Sequence, residues 1–297
     1  MRLHPWQRLG LALATALLIG GCATRVTTTE GGVPIDTSHT AQGQDSRAMF
    51  LVIHYTVADL PLSLHILTKQ QVSAHYLLSD ESPPRIFRLV DENRRAWHSG
   101  LSGWKGHRLL NASSIGIEIV HPGFKPGFDK QRIYQPFPKE QIDALIPLVK
   151  DIVQRHQIKP ERILGHGEVT PSYKEDPGPT FPWKLLADLG ITPPWPDAQL
   201  VAQQQAIFAT ALPDAAWFQA ALAQHGYVIE RSGLWDEQTR RVMMNFQMRY
   251  RPANYSGQPD AETAALLHVL TVPGPIPGVA PSAALPPVLP VPLPSGD

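Results

Sequence analysis

Hydrophobic and polar positions alternate clearly in two places. Met49-Phe50-Leu51-Val52-Ile53-His54-Tyr55 is an almost unbroken apolar run that ends in polar residues. Ser114-Ile115-Gly116-Ile117-Glu118-Ile119-Val120 puts three isoleucines on one face and Gly116 and Glu118 on the other. Both predict strands, as do 74–78, 86–90 and 162–165. A 3.6-residue period replaces the two-residue one over 139–156. It sets Ile142, Leu145, Leu148, Val149, Ile152 and Val153 on one helical face. Shorter helices are expected at 62–70 and 182–189. Strands alternating with helices predict an α/β domain over 47–190.

Thr192-Pro193-Pro194-Trp195-Pro196 reads as a break, giving a linker over 191–199. Residues 200–270 return to a helical period, with Val242, Met243 and Phe246 on one face. A small all-α domain is expected there. Pro, Gly, Val and Ala without period fill 271–297, which predicts an extended tail.

The opening residues have a different pattern. Arg2 and Arg8 precede an apolar run from Leu9 to Gly20, too short to span a bilayer. Residues 1–21 read as a secretory signal. The single cysteine of the 297 residues, Cys22, follows Leu18-Ile19-Gly20-Gly21. That order resembles a bacterial lipobox. It implies cleavage before Cys22, acylation there, and stable anchoring by several acyl chains. Ala23 after the cysteine implies outer-membrane delivery, with the chain facing the periplasm. Thr, Gly, Gln and Ser dominate 22–46, as expected of a flexible tether. The formal net charge is zero, so charge supplies no pull toward nucleic acid.

Candidate chemistry concentrates in Gly165-His166-Gly167-Glu168-Val169-Thr170-Pro171-Ser172-Tyr173-Lys174-Glu175-Asp176-Pro177-Gly178-Pro179. Two glycines around His166 permit close backbone approach. Asp176 is biased toward an extended conformation by Pro177. With His54 at the end of its strand, two imidazoles and a carboxylate suit a zinc site that keeps one position for water. No Cys-x-x-Cys pair offers an alternative ligand set. Lys174 lies two residues from Asp176, on the same side of an extended segment, and suits an oxyanion. Glu118 is either at a wet edge or facing a polar cavity. In the second case it can exchange protons with a metal-activated water.

These residues also carry a resemblance. His54-Tyr55-Thr56, Ser73-Ala74-His75-Tyr76, Ala96-Trp97-His98-Ser99-Gly100, Asn111 through Glu118, and Gly165-His166 through Pro179 occur in the order seen in the zinc-dependent N-acetylmuramoyl-L-alanine amidases of the second type. The chain is similar to them over about 48–190. With the lipobox and the helical domain, it resembles their outer-membrane lipoprotein branch most. The resemblance implies a central mixed β-sheet flanked by helices, the fold shared with peptidoglycan recognition proteins. It implies one zinc ion per chain on His54, His166 and Asp176, with Glu118 and Lys174 catalytic. It implies that Trp97, His98 and Asn111 line the groove for peptidoglycan and muropeptides. Phage relatives carry a tyrosine where this chain has Ala74, which leaves the base role to Glu118. His75 either packs or faces the groove. Leu222, Gly226-Tyr227, Gly233, Trp235, Thr239, Val242, Phe246-Gln247, Gly257, Asp260 and Thr263 resemble a helical peptidoglycan-binding module. That module either binds the wall or only packs on the catalytic domain. The expected function is hydrolysis of the muramoyl–L-alanine amide; the alternative is a non-catalytic wall-binding lipoprotein.

Overall fold

The computed structural model describes residues 26–127 and 132–272. The expected signal segment, Cys22 and the expected extended tail lie outside the described residues. Two compact units divide the chain, Met1–Asp45 and Ser46–Asp297.

In the first unit, β1 (Val26–Thr28) and β2 (Pro34–Asp36) form an antiparallel ribbon, fully exposed. The expected tether therefore contains local structure. Its turn is closed by a Thr29 to Val33 backbone bond and uses Gly32 at a φ of 79°.

The second unit is built on a five-stranded sheet. Its strands are β3 (Phe50–Tyr55), β4 (Tyr76–Leu78), β5 (Ile86–Arg88), β8 (Ser114–Ile119) and β11 (Ile163–Gly165). Two small ribbons lie between and beside them, β6 (Gly103–Trp104) with β7 (His107–Arg108), and β9 (Phe124–Pro126) with β10 (Arg132–Tyr134). The sheet order is β11-β3-β8-β4-β5. All pairings are parallel except the edge pair β4–β5. The expected mixed sheet is present, and the expected strands recur within a few residues of their predicted bounds.

Helices cover both faces. α1 (Leu60–Lys69), α2 (Lys139–His156), α3 (His166–Val169) and α4 (Trp183–Asp188) belong to the α/β part. Ile115, Ile117, Ile119, Leu51 and Ile53 meet Ile142, Leu145, Val149 and Ile152 of α2 in one core. This is the face predicted by the strand alternation and the helical period.

The opposite face is closed differently. α5 (Ala198–Phe208), α6 (Ala215–His225), α7 (Glu237–Tyr250) and α8 (Ala261–Thr271) form the helical part. Each begins at an aspartate (Asp197, Asp214, Asp236, Asp260) whose carboxylate accepts a first-turn backbone N–H. Val242, Met243 and Phe246 are fully buried, as their spacing predicts. Their core is continuous with Phe50 and Val52 of β3 and with Leu164 and Val169. The helical part thus completes the sheet's second hydrophobic layer. Packing of the helical part on the α/β part is part of the fold.

Candidate metal centre and active site

Strand register assembles the site. β3 and β8 run parallel with His54 opposite Glu118. Register partners in a sheet project to the same face. β11 pairs with β3 so that Gly165 sits opposite Ile53, and His166 follows at once. His54, Glu118 and His166 therefore gather at the carboxyl ends of three adjacent parallel strands, where α/β sheets open a crevice.

His54 Nδ1 lies 3.0 Å from His166 Nδ1 and 3.2 Å from Asp176 Oδ2. His166 Nδ1 lies 3.1 Å from the same oxygen. All three residues are buried. A tetrahedral ion with ligand bonds of about 2.0–2.2 Å needs donors roughly 3.3–3.5 Å apart. The three gaps come within a few tenths of an ångström of that. Each of the three atoms can present a lone pair to the centre of the triangle they form. A cation at the centre satisfies all three donors, so the residues fit a metal.

The imidazole behind the cluster fixes its tautomer. His54 Nε2 is 3.0 Å from His98 Nδ1, and His98 Nε2 is 3.0 Å from Ser114 Oγ. The Ser114 hydroxyl donates to the Leu110 carbonyl at 2.6 Å. That last bond sets the direction. Ser114 accepts from His98 Nε2–H, His98 Nδ1 accepts from His54 Nε2–H, and His54 Nδ1 keeps its lone pair for the metal. Burial, followed by His166, pushes the His54 imidazole down to about 4 against the opposing pull of Asp176. A neutral ring is the ligand form. Burial pushes Asp176 up, but His166 and His54 outweigh it and hold the carboxyl well below the usual range.

Glu118 faces the same cavity, of about 220 Å³, together with Lys174, Asp176, Trp97 and Tyr55. Its Oε2 is buried and has no hydrogen-bond partner in the protein. Burial, then Asp176, pushes its carboxyl up to about 8, with Lys174 opposing. A carboxyl so placed is poised for proton transfer.

Trp97 is half exposed at the cavity rim, with the Arg95 guanidinium 4.0 Å over its ring. His98 lines the cavity as expected, and Asn111 does not. His98 is only 8% exposed and both its ring nitrogens are used by His54 and Ser114. It lines the cavity and also positions His54. Asn111 is absent from the cavity wall. Its side-chain oxygen accepts from the backbone N–H groups of His98 and Ser99 and from the Ser99 hydroxyl, fixing that turn. His75 packs: it is fully buried, and its Nδ1 accepts from Gly116 N–H at 3.0 Å.

Three buried donors that fit a metal and an unpaired carboxyl at the open end of a mixed α/β sheet are the equipment of a hydrolase. Residues 44–179 match the family profile of N-acetylmuramoyl-L-alanine amidases, and residues 212–267 match that of a peptidoglycan binding domain. The chain is 44% identical over 271 residues to the N-acetylmuramoyl-L-alanine amidase AmiD of Escherichia coli K12. That alignment spans 89% of this chain and 97% of AmiD. The solved complex of E. coli AmiD with the substrate anhydro-N-acetylmuramic acid-L-Ala-D-γ-Glu-L-Lys superposes with a TM-score of 0.71 at 41% identity, covering 82% of this chain and 96% of the AmiD chain. AmpDh3 of Pseudomonas aeruginosa superposes with a TM-score of 0.72 at 36% identity, covering 80% and 97% of the two chains. The chain belongs to the N-acetylmuramoyl-L-alanine amidase family.

Proposed function

We propose that the chain is a zinc amidase that cuts the amide between the lactyl carbonyl of N-acetylmuramic or anhydro-N-acetylmuramic acid and L-alanine. The observation that carries this is the pairing of Glu118 with His54 in register, beside His166 and Asp176. The E. coli relative solved with an anhydromuramoyl tripeptide supports the substrate class. Zinc fits a donor set of two imidazoles and one carboxylate.

When bound, zinc supplies a Lewis acid for the carbonyl and lowers the pKa of a water it holds. Glu118 takes the proton of the attacking water as the oxygen adds to the lactyl carbon. Lys174, on the cavity wall, donates to the oxygen that gains charge. Glu118 then returns its proton to the alanine nitrogen as the C–N bond breaks. The products are a lactyl carboxylate and a free amino terminus. Trp97 at the rim offers an aromatic face to the sugar. A wall-binding protein without activity has no use for the unpartnered Glu118 oxygen.

The same proposal places the protein at the membrane. Acylation of Cys22 would anchor it in the outer membrane, facing periplasmic peptidoglycan, in keeping with the lipobox-like Leu18–Cys22 sequence.

Glu118→Ala tests the chemistry. It is expected to keep stoichiometric zinc and to lose roughly 10²–10⁴-fold in turnover. Asp176→Ala is expected to lose both. A Glu118 variant that loses its metal makes Glu118 a ligand, and an Asp176 variant that keeps it removes Asp176 from the ligand set.

A further inference from the structure

Arg241, Asn245 and Arg249 stand four residues apart on one face of α7. Asn245 and Arg249 are buried, at 4% and 6% exposure. A buried polar stripe on a helix needs partners. Here the partners are the loop that carries two of the three metal donors.

Arg249 Nη1 donates to Glu168 Oε2 at 2.6 Å and to the Ile163 carbonyl at 3.3 Å. The guanidinium lies 4.0 Å over the Trp183 ring. Glu168 Oε2 in turn accepts Gly165 N–H at 2.8 Å, across the first turn of α3. α3 has only four residues, beginning with His166, and a helix that short is not stable by itself. Asn245 Nδ2 donates to the Lys174 carbonyl at 3.1 Å. Its Oδ1 occupies the space that a Cβ on Gly167 would enter, 2.0 Å away. Arg241 Nε reaches the Pro171 carbonyl at 3.3 Å. Within the loop, Thr170 N–H donates to the His166 carbonyl at 2.9 Å, Lys174 N–H to the Thr170 carbonyl at 3.1 Å and Gly178 N–H to the Glu175 carbonyl at 2.9 Å, while the bond that joins its His166 end to its Asp176 end is Gly167 N–H to the Asp176 carbonyl at 2.8 Å.

We infer that the Arg241–Asn245–Arg249 stripe of α7 is a clamp from the helical part that holds His166 and Asp176 at metal-binding distance. Arg249 and Asn245 are positioning residues. They act through Glu168, Gly165 and the Lys174 backbone and touch neither metal nor substrate. The inference rests on the metal reading of the His54–His166–Asp176 cluster. It assigns to the helical part a role in building the active site, separate from any contact with the wall.

The measurement is zinc affinity of the metal-free full chain, by competition with a chromophoric chelator, beside its melting temperature. Asn245→Ala removes one loop bond and leaves the buried ion pair intact. Arg249→Lys keeps the charge but loses the longer reach of the guanidinium, whose Nη1 donates to both Glu168 and Ile163, and its planar stacking on Trp183. Leu267→Ala, in the buried core of α8, makes none of these bonds and is the control for destabilisation alone. Asn245→Ala and Arg249→Lys are expected to weaken zinc binding about 10–100-fold, the scale seen when a ligand's supporting contact is lost. Leu267→Ala is expected to melt earlier with affinity within about threefold of the parent. If Arg249→Lys does not fold, Asn245→Ala decides alone. Unchanged affinity in Asn245→Ala, or an equal loss in Leu267→Ala, overturns the clamp. A parent chain that binds no zinc overturns the metal reading instead.

Discussion

Gly116 is the point where a single methyl group tests the construction of the metal centre. It sits in β8 on the face that carries Glu118, two residues away. A Cβ there would stand 2.5 Å from His98 Cγ and 2.7 Å from both Cδ2 and Nδ1. Ordinary contact begins near 3.4 Å, so the ring must retreat by roughly 0.9 Å. Gly116 is not among the residues with positive φ, so alanine meets no backbone penalty. The ring has nowhere easy to go, because His54, His75 and Ser114 surround it. The part of that retreat directed away from His54 lengthens the 3.0 Å His54–His98 bond, and the whole of it would carry the bond beyond hydrogen-bonding range. Overpacking of this kind costs about 1–3 kcal/mol. For a body of this size that lowers the melting temperature by roughly 2–12 °C. Loss of the partner that orients His54 should weaken metal binding about 10–100-fold. Calorimetric melting of the metal-free chain and chelator competition for zinc read the two effects separately. Gly116→Ser is expected to behave like alanine or worse. Unchanged zinc affinity in a folded Gly116→Ala chain would refute the role given to His98.

The pH dependence of the metal-free chain has a worked sign. Burial pushes His54 and His75 down to about 4 and His98 well below its ordinary value, so these rings resist protonation only in the folded state. Their contribution is present above about 6.5 and is lost as pH falls toward 4, at up to roughly 1.4 kcal/mol per pH unit for each ring. Glu118, pushed up to about 8, works the other way: its contribution is present below about 4.5 and is lost as pH rises to 8. The melting temperature of the metal-free chain should therefore peak near pH 6.5, and a scan by differential calorimetry that rises steadily from pH 6.5 to 8 contradicts the buried Glu118. Cys22→Ser is expected to abolish acylation and move the protein from the membrane to the soluble fraction; persistence in the membrane pellet would require another anchor.

Much of the site is legible in the sequence because parallel strands bring their ends together. An apolar run closing on His54, and isoleucines alternating with Gly116 and Glu118, already fix which face each side chain takes. The Gly-flanked His166 and the Pro-flanked Asp176 mark a loop held for a purpose. What the sequence hides is long-range. The family resemblance implies that His98 and Asn111 line the groove; His98 does so while also bonding His54, whereas the Asn111 oxygen is taken up by the 98–99 turn. The ribbons β6–β7 and β9–β10 have two or three residues per strand, too few to show a period. Arg241, Asn245 and Arg249 are visible at helical spacing, but such a stripe usually faces water. Only the packing of α7 against the 165–178 loop shows that this one does not. The ribbon at 26–36 was hidden for a related reason, since its polar residues read as a tether.

The bond that is cut tests the account most directly. Purified wall fragments and anhydromuramoyl peptides, digested with the zinc-loaded chain and resolved by mass spectrometry with amino-terminal labelling, should release stem peptides with new L-alanine amino termini and lactyl carboxylates on the sugar. No new reducing sugar ends should form. New reducing ends, or new amino groups that trace to a diamino acid or D-alanine, would contradict it.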